Sequence, residues 1–481
     1  MKKIPLIFAL LYLVISPSFS SGLYDIFDEK RILEFIVLTL TSITFMIIKS
    51  KYDLNIDQKI KGAFVILFIL WVISAINAKL ISWSILEICW YLLLIQLIYY
   101  SAYIYTFDTS QARRLLLIAI FSMVLIYESR VIADYVIGLI RSDWTTWPRQ
   151  RDVVMMYKGV NINPSGFLNF RHVRFFNHLQ TWSLPLLVFG FSYYRDDMIK
   201  PLRTVVFIII CFWWTLVFAA DARGTMLASF LSIFIGLYIT KSIKSDYFKT
   251  YFISCVLGLG IYIVLFLLPE NEAKEVLTRF GDSGRFNAWL FSIKLIVDNP
   301  LLGLGPMHFS HADLDFQLST PHNLFFQVGS EWGLPATIIF FVITLFCYSK
   351  YYSLTNESFK NDNTNYFRLA IFMSLTAALI HSMFSGIYNS QLSQIFGSLI
   401  IGIAISDYYL ESNNALFLKA DSFGFGKTLI VIIIAANLIF VSYKVLNDIP
   451  KLEDRKIEYA ERYNALRLLP RFWVQGIIYE D

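Results

Sequence analysis

In this 481-residue sequence the side chains suited to chemistry gather at the edges of apolar blocks. Asp221-Ala222-Arg223-Gly224-Thr225 joins two such blocks with almost no loop. Gly224 and Thr225 open the second block as a helix, so Arg223 stands beside free backbone N–H groups at a positive helix end. A cation fits there when an anion is bound, which suggests a phosphate site; a snorkelling arginine paired with Asp221 is the alternative. Arg279 and Arg285 flank Phe280-Gly281-Asp282-Ser283-Gly284, a glycine-rich turn leading into a second helix. Guanidinium forks match phosphate oxygens two at a time, and a salt bridge to Asp282 explains one of these arginines but not both. His322, in Pro321-His322-Asn323, carries a ring that exchanges a proton near neutral pH, as a general base for a hydroxyl must; capping or packing is the alternative. The other histidines are His172, His178, His308, His311 and His381. A metal held by His308, His311 and Asp313-Leu314-Asp315 is conceivable, but carboxylates two apart are common by chance and no metal is expected.

The elements that must position these groups lie in a membrane. Hydrophobic residues make up 57% of the chain and charged ones 16%, where a soluble domain carries about 25% charged. Mean hydropathy is +0.57. The apolar residues fall in continuous blocks near the roughly 20 residues that span a bilayer as a helix. A soluble enzyme, a disulfide-stapled secreted module, a disordered regulator and an outer-membrane barrel are all excluded. The net charge of +5 is too small and dispersed for a nucleic-acid surface. Cys89, Cys211, Cys255 and Cys347 all sit inside apolar blocks, so neither disulfides nor a metal cage is expected.

The blocks lie near 4–18, 32–48, 63–83, 85–105, 115–140, 179–194, 204–220, 224–240, 250–268, 335–348, 368–388, 391–409 and 427–444. They predict an all-α polytopic membrane protein of 12 or 13 transmembrane helices, the first read as an uncleaved helix rather than a signal peptide. With the N-terminus inside, every inner connection carries Lys or Arg, from Lys49 and Lys51 through Arg113 and Arg114 to Lys419 and Lys427. The short outer connections carry only Lys79 and Arg223. The chain then divides into N-terminal helices (1–140), a shorter outer loop (141–178), helices carrying the Arg223 motif (179–268), a large outer loop (269–334), C-terminal helices (335–444) and an outer tail (445–481).

The large loop reads as a helical cap lying on the outer membrane surface. An amphipathic helix over 283–299 shows an apolar stripe of Phe286, Trp289, Leu290, Ile293 and Ile296, and a second amphipathic stretch starts after Pro321. In the tail, Leu452, Ile457, Ala460, Leu466 and Leu468 form a weak stripe, which suits either a docking helix or a solvated segment. Glu128, Arg130 and Asp134 interrupt another block and read as a satisfied polar cluster.

Taken together, Asp221-Ala222-Arg223-Gly224-Thr225, Gly284-Arg285-Phe286-Asn287-Ala288-Trp289, Asn299-Pro300-Leu301-Leu302-Gly303-Leu304-Gly305, Pro321-His322-Asn323 and Glu331-Trp332-Gly333-Leu334-Pro335 resemble the O-antigen ligase and O-antigen polymerase superfamily. Arg174-Phe175-Phe176-Asn177-His178 resembles that family's shorter-loop motif, and Ala222 departs from a more usual serine. The likeness covers roughly residues 170–405.

The resemblance implies a metal-independent, inverting glycosyltransferase without a cofactor, facing the periplasm from the bacterial inner membrane. It would move a glycan en bloc from an undecaprenyl diphosphate carrier to an acceptor, lipid A-core in a ligase, a growing chain in a polymerase, or a protein in an O-oligosaccharyltransferase. Its partners would be that donor, that acceptor and the lipid bilayer, with no nucleic acid. Arg223 and Arg285 would hold the diphosphate and His322 would act at the acceptor; Arg279, Arg174, Asn323, Asp221 and Thr225 would contribute to binding diphosphate or acceptor. A ligase is the favoured reading. A polysaccharide transporter or flippase is disfavoured, because the unusual residues sit at the outer surface and no internal repeat is visible.

Overall fold

The computed structural model describes residues 3–16, 20–49, 51–140, 173–220, 222–242, 244–267, 285–312, 318–360, 364–412, 415–419, 425–462, 470–476 and 478. The first nine helices are α1 (Ile4–Ile15), α2 (Ile26–Lys49), α3 (Gln58–Ile76), α4 (Ile81–Phe107), α5 (Thr109–Ile140), α6 (Val173–Tyr194), α7 (Lys200–Ala219), α8 (Arg223–Thr240) and α9 (Asp246–Tyr262). The two short helices α10 (Arg285–Asp298) and α11 (Phe309–Ala312) follow, then α12 (Leu324–Lys360), α13 (Tyr366–Ser382), α14 (Gln391–Glu411), α15 (Phe425–Asp448) and α16 (Leu452–Arg462). Ten described helices are long and apolar enough to cross a membrane, and α1 and α13 are shorter apolar helices. With α6 they fall on the apolar blocks of the sequence, and the chain is an all-α, multi-pass membrane protein.

In lipid a backbone must satisfy its own polar groups, so these Leu-, Ile- and Phe-rich runs become helices. Their outward faces stay apolar, as at Val65 and Ile66 of α3, Phe234 of α8 and Ile439 of α15, all exposed. Small polar residues face inward and tie helices together: on α4, Ser101 donates to the Leu399 carbonyl of α14 at 2.8 Å, and Thr106 meets Ser406 at 2.6 Å.

Two short strands, β1 (Tyr52–Leu54) and β2 (Phe417–Lys419), pair antiparallel with Tyr52 opposite Lys419. Asp53 bridges Lys427 at 2.9 Å and Lys49 at 3.3 Å, and the hydrogen bond from Lys427 holds its carboxyl below the usual range. The pairing puts both segments on one side of the membrane, as an even number of crossings between them requires.

At the other side, two motifs 30 residues apart form one unit. The helix α12 breaks at Gly333, where φ is 81°. The turn after α10 threads against that break: Leu304 N–H donates to the Ser330 carbonyl (2.9 Å), Gly305 N–H to Glu331 (2.8 Å), and Leu334 N–H to Pro300 (2.8 Å). A Cβ on Gly333 would lie 2.3 Å from the Leu301 carbonyl oxygen, and one on Gly303 2.5 Å from the Glu331 backbone, so no other residue fits either position.

Three details differ from the sequence expectations. The helix α6 starts at Val173, because Arg174, Asn177 and His178 belong to its first turns rather than to the loop before it. In α10 the face packed on the protein is Ala288, Ser292, Leu295 and Ile296; of the expected stripe, Phe286, Leu290 and Ile293 point away and are exposed. In α16, Leu452, Arg455 and Tyr459 are buried while Ile457 is exposed, so the helix docks by a different face, with Arg455 paired to Asp448 at 2.9 Å. The shorter outer loop up to residue 172, the turn before Arg285, Asp313 and Asp315, Leu466 and Leu468, and the Asp134 side chain lie outside the described residues.

Candidate functional site

Five elements meet at the end of the bundle opposite the β1–β2 pair. Arg174, in the first turn of α6, places Nη1 3.4 Å from Nε2 of His322. A guanidinium N–H can only donate, so Nε2 is the acceptor and the Nδ1 proton points to Thr320 Oγ1 at 3.3 Å. His322 holds a left-handed backbone, φ 54°, a conformation that costs a non-glycine residue about 1 kcal/mol or more.

Its neighbours impose that conformation. The Pro321 carbonyl accepts from Trp289 Nε1 of α10 at 3.1 Å. Asn323 caps α12, accepting from Phe326 N–H at 3.1 Å, while its Nδ2 donates to the Met383 carbonyl beyond α13 at 2.9 Å. The carboxamide of Asn323 is thus engaged in holding the imidazole's mount.

Arg285 opens α10 and lies within electrostatic reach of both Arg174 and His381. His381, near the end of α13, is buried against the start of α8: a Cβ on Gly224 would sit 3.2 Å from its ring. Arg223 is the first residue of α8 and is exposed. Thr225 is fully buried, and its hydroxyl has no hydrogen-bond partner among the described residues. Asp221 and Arg279 lie outside the described residues. The corner therefore combines a helix N-terminus with guanidinium and imidazole groups, an arrangement suited to an anion.

Next to this corner sits a group of buried charges that sequence reading missed. The chain from Pro470 folds over the outer ends of α2, α4 and α12. Arg471 is buried and its Nη2 reaches Glu87 at 2.7 Å and Glu331 at 2.8 Å. Burial alone would depress its pKa, but Glu331 and Glu87 hold it above the usual arginine value. Arg31 of α2 donates to the Phe472 carbonyl (3.1 Å) and pairs with Glu34 (2.6 Å), and Asp28 accepts from Val474 N–H (2.7 Å). Glu331 also accepts from Phe309 N–H at 3.1 Å, so this segment braces the loop that precedes His322. The available signal was charge inside or beside apolar blocks, namely Glu87 and the Asp28-Glu29-Lys30-Arg31 run.

His308 belongs to that brace. Its Nε2 accepts from Leu80 N–H at 2.9 Å, which leaves Nδ1 to donate to the Pro306 carbonyl at 2.9 Å. Burial, with smaller effects from His311 and Lys79, pulls its pKa down to about 4. Among the described residues no group of His, Cys, Asp and Glu is placed to hold a metal.

Residues 205–341 match the O-antigen ligase family model. The match spans part of the chain and supports the O-antigen ligase superfamily. No curated protein matches it. The O-antigen ligase region includes Arg223, Arg285 and His322, whereas Arg174, His381, Glu87 and Arg471 lie outside it.

Proposed function

We propose that this glycosyltransferase-like enzyme is an O-antigen ligase, moving a glycan en bloc from undecaprenyl diphosphate to lipid A-core at the periplasmic face of the bacterial inner membrane. The observation that carries the reading is the convergence of Arg174, Arg285, His322 and the α8 N-terminus, from separate stretches of sequence, beside His381. Arg223 and Arg285, joined by Arg174, hold the diphosphate, with Thr225, Asp221 and Arg279 contributing to its binding. The acceptor hydroxyl attacks the anomeric carbon from the side opposite the diphosphate, so the configuration inverts. The carbon–oxygen bond to phosphate breaks with its electron pair passing to the diphosphate, where the fixed guanidinium charges stabilise it without a metal. As the diphosphate draws Arg174 to itself, Nε2 of His322 is released to take the hydroxyl proton.

A deletion strain tests this. Lipopolysaccharide gels should show a core without polymer while carrier-linked polymer accumulates. A core bearing a single repeat would assign the polymerase reaction instead, and an unchanged profile would refute both.

A further inference from the structure

Three buried histidines lie at the outer end of the bundle, and they differ in what their ring nitrogens do. His178 has Nδ1 on Ser390 and Nε2 on Ser385, both at 2.8 Å. His308 has both nitrogens on backbone groups. His381 is only 4% exposed, and its Nδ1 lies 2.7 Å from Thr181 Oγ1. The hydroxyl of Thr181 has one proton, which it gives to the Asn177 carbonyl at 3.1 Å, so Thr181 accepts and His381 Nδ1 donates.

The neutral ring then carries a lone pair on Nε2, which has no hydrogen-bond partner among the described residues. That nitrogen faces the start of α8, where glycine lets the ring come close: a Cβ on Gly224 would stand 3.2 Å from Cδ2 and 3.4 Å from Nε2. The charged and titratable groups near the ring are Arg174 and His178 of α6 and Arg285 of α10, while Arg223 precedes Gly224 in the chain and His322 lies against Arg174. A second proton on the ring would set another positive charge among guanidinium groups. An acceptor lone pair meets instead a hydroxyl.

We infer that His381 is a further substrate-contacting residue, its Nε2 accepting a hydrogen bond from a sugar hydroxyl next to the diphosphate. This rests on the proposed transferase reading. The hydroxyl belongs either to the donor sugar bonded to the diphosphate or to the acceptor.

The test uses the full chain in lipid nanodiscs, donor lipid extracted from cells deleted for it, lipid A-core, and farnesyl diphosphate as a sugar-free competitor. His381→Asn keeps a donor for Thr181 and deletes Nε2; it should lower kcat/KM about tenfold, the effect of one hydrogen bond. His381→Gln, which returns an amide to the Nε2 position, should recover most of that loss. Gly224→Ala crowds the Nε2 edge of the ring without touching the Thr181 bond and should also lower transfer. Competition by farnesyl diphosphate should be unchanged in all three variants.

A rise in KM for the donor lipid alone assigns the hydroxyl to the donor, and a rise for lipid A-core assigns it to the acceptor. Transfer within twofold of the wild type in both His381→Asn and Gly224→Ala overturns the inference, as does farnesyl diphosphate binding that weakens along with the donor's. If farnesyl diphosphate fails to compete with the donor in the wild type, the diphosphate reading fails, and the two KM values still decide the His381 contact.

Discussion

Two clusters of charge lie side by side at one end of the bundle and are built on opposite plans. Around Arg471 each charge meets its opposite within the protein: one guanidinium and two carboxylates, with the Phe309 N–H and the Gln327 amide also on Glu331. Arg174 lies close to a second guanidinium and two imidazoles. The first plan spends buried charge on fixing the chain. The second gathers positive and titratable groups where a helix begins, as a site does when an anion is to be held. The first also braces the second, because Glu331 ties the loop at Phe309 to the half of α12 that His322 precedes.

Removing one partner from each cluster should separate the two roles. Arg471→Ala leaves Glu87 and Glu331 buried without their cation, and should destabilise the folded chain by about 3–5 kcal/mol in thermal unfolding. Adding Glu87→Gln and Glu331→Gln to Arg471→Met removes all three charges and should restore most of that stability. Arg285→Ala should do the reverse: transfer falls about a hundredfold, or ~3 kcal/mol of transition-state stabilisation, while unfolding stays near the wild type. If Arg285→Ala costs stability and Arg471→Ala does not, the contrast is wrong.

A smaller effect comes from His308, on the brace side. Its folded pKa of about 4 lies below the unfolded value of 6.5, so the unfolded chain binds the extra proton between those two values. Stability is present in full above pH 6.5 and is lost as pH falls toward 4, by up to ~3 kcal/mol. Unfolding temperatures at pH 7 and pH 5 should differ more for the wild type than for His308→Asn. The smallest effect is expected far from both clusters: Lys427→Ala, which removes a partly exposed bridge to Asp53, should change stability by under ~1 kcal/mol.

Much of the fold could be read from sequence because lipid makes local composition decisive: each apolar block became a helix. The start of α6 was hidden because its first turns are polar and buried, with His178 held by serines 207 and 212 residues away. Hydrophobic spacing identified α10 but not the direction of its stripe, since in a membrane protein the apolar face can turn away from the core. The pairing around Arg471 could not be read from sequence, because its partners are 384 and 140 residues distant; only the charge of Glu87 inside an apolar block hinted at it. Within the site, Arg223, Arg285 and His322 were marked by their motifs, whereas His381 lay unmarked inside a crossing until its packing on Gly224 set it beside them.

The most direct test is transfer of glycan from purified donor lipid to lipid A-core by the reconstituted chain and by Arg223→Ala, Arg285→Ala and His322→Ala. Each variant should insert normally and transfer at about 1% of the wild-type rate or less. Near-normal transfer by all three would show that the glycan is moved elsewhere in the molecule.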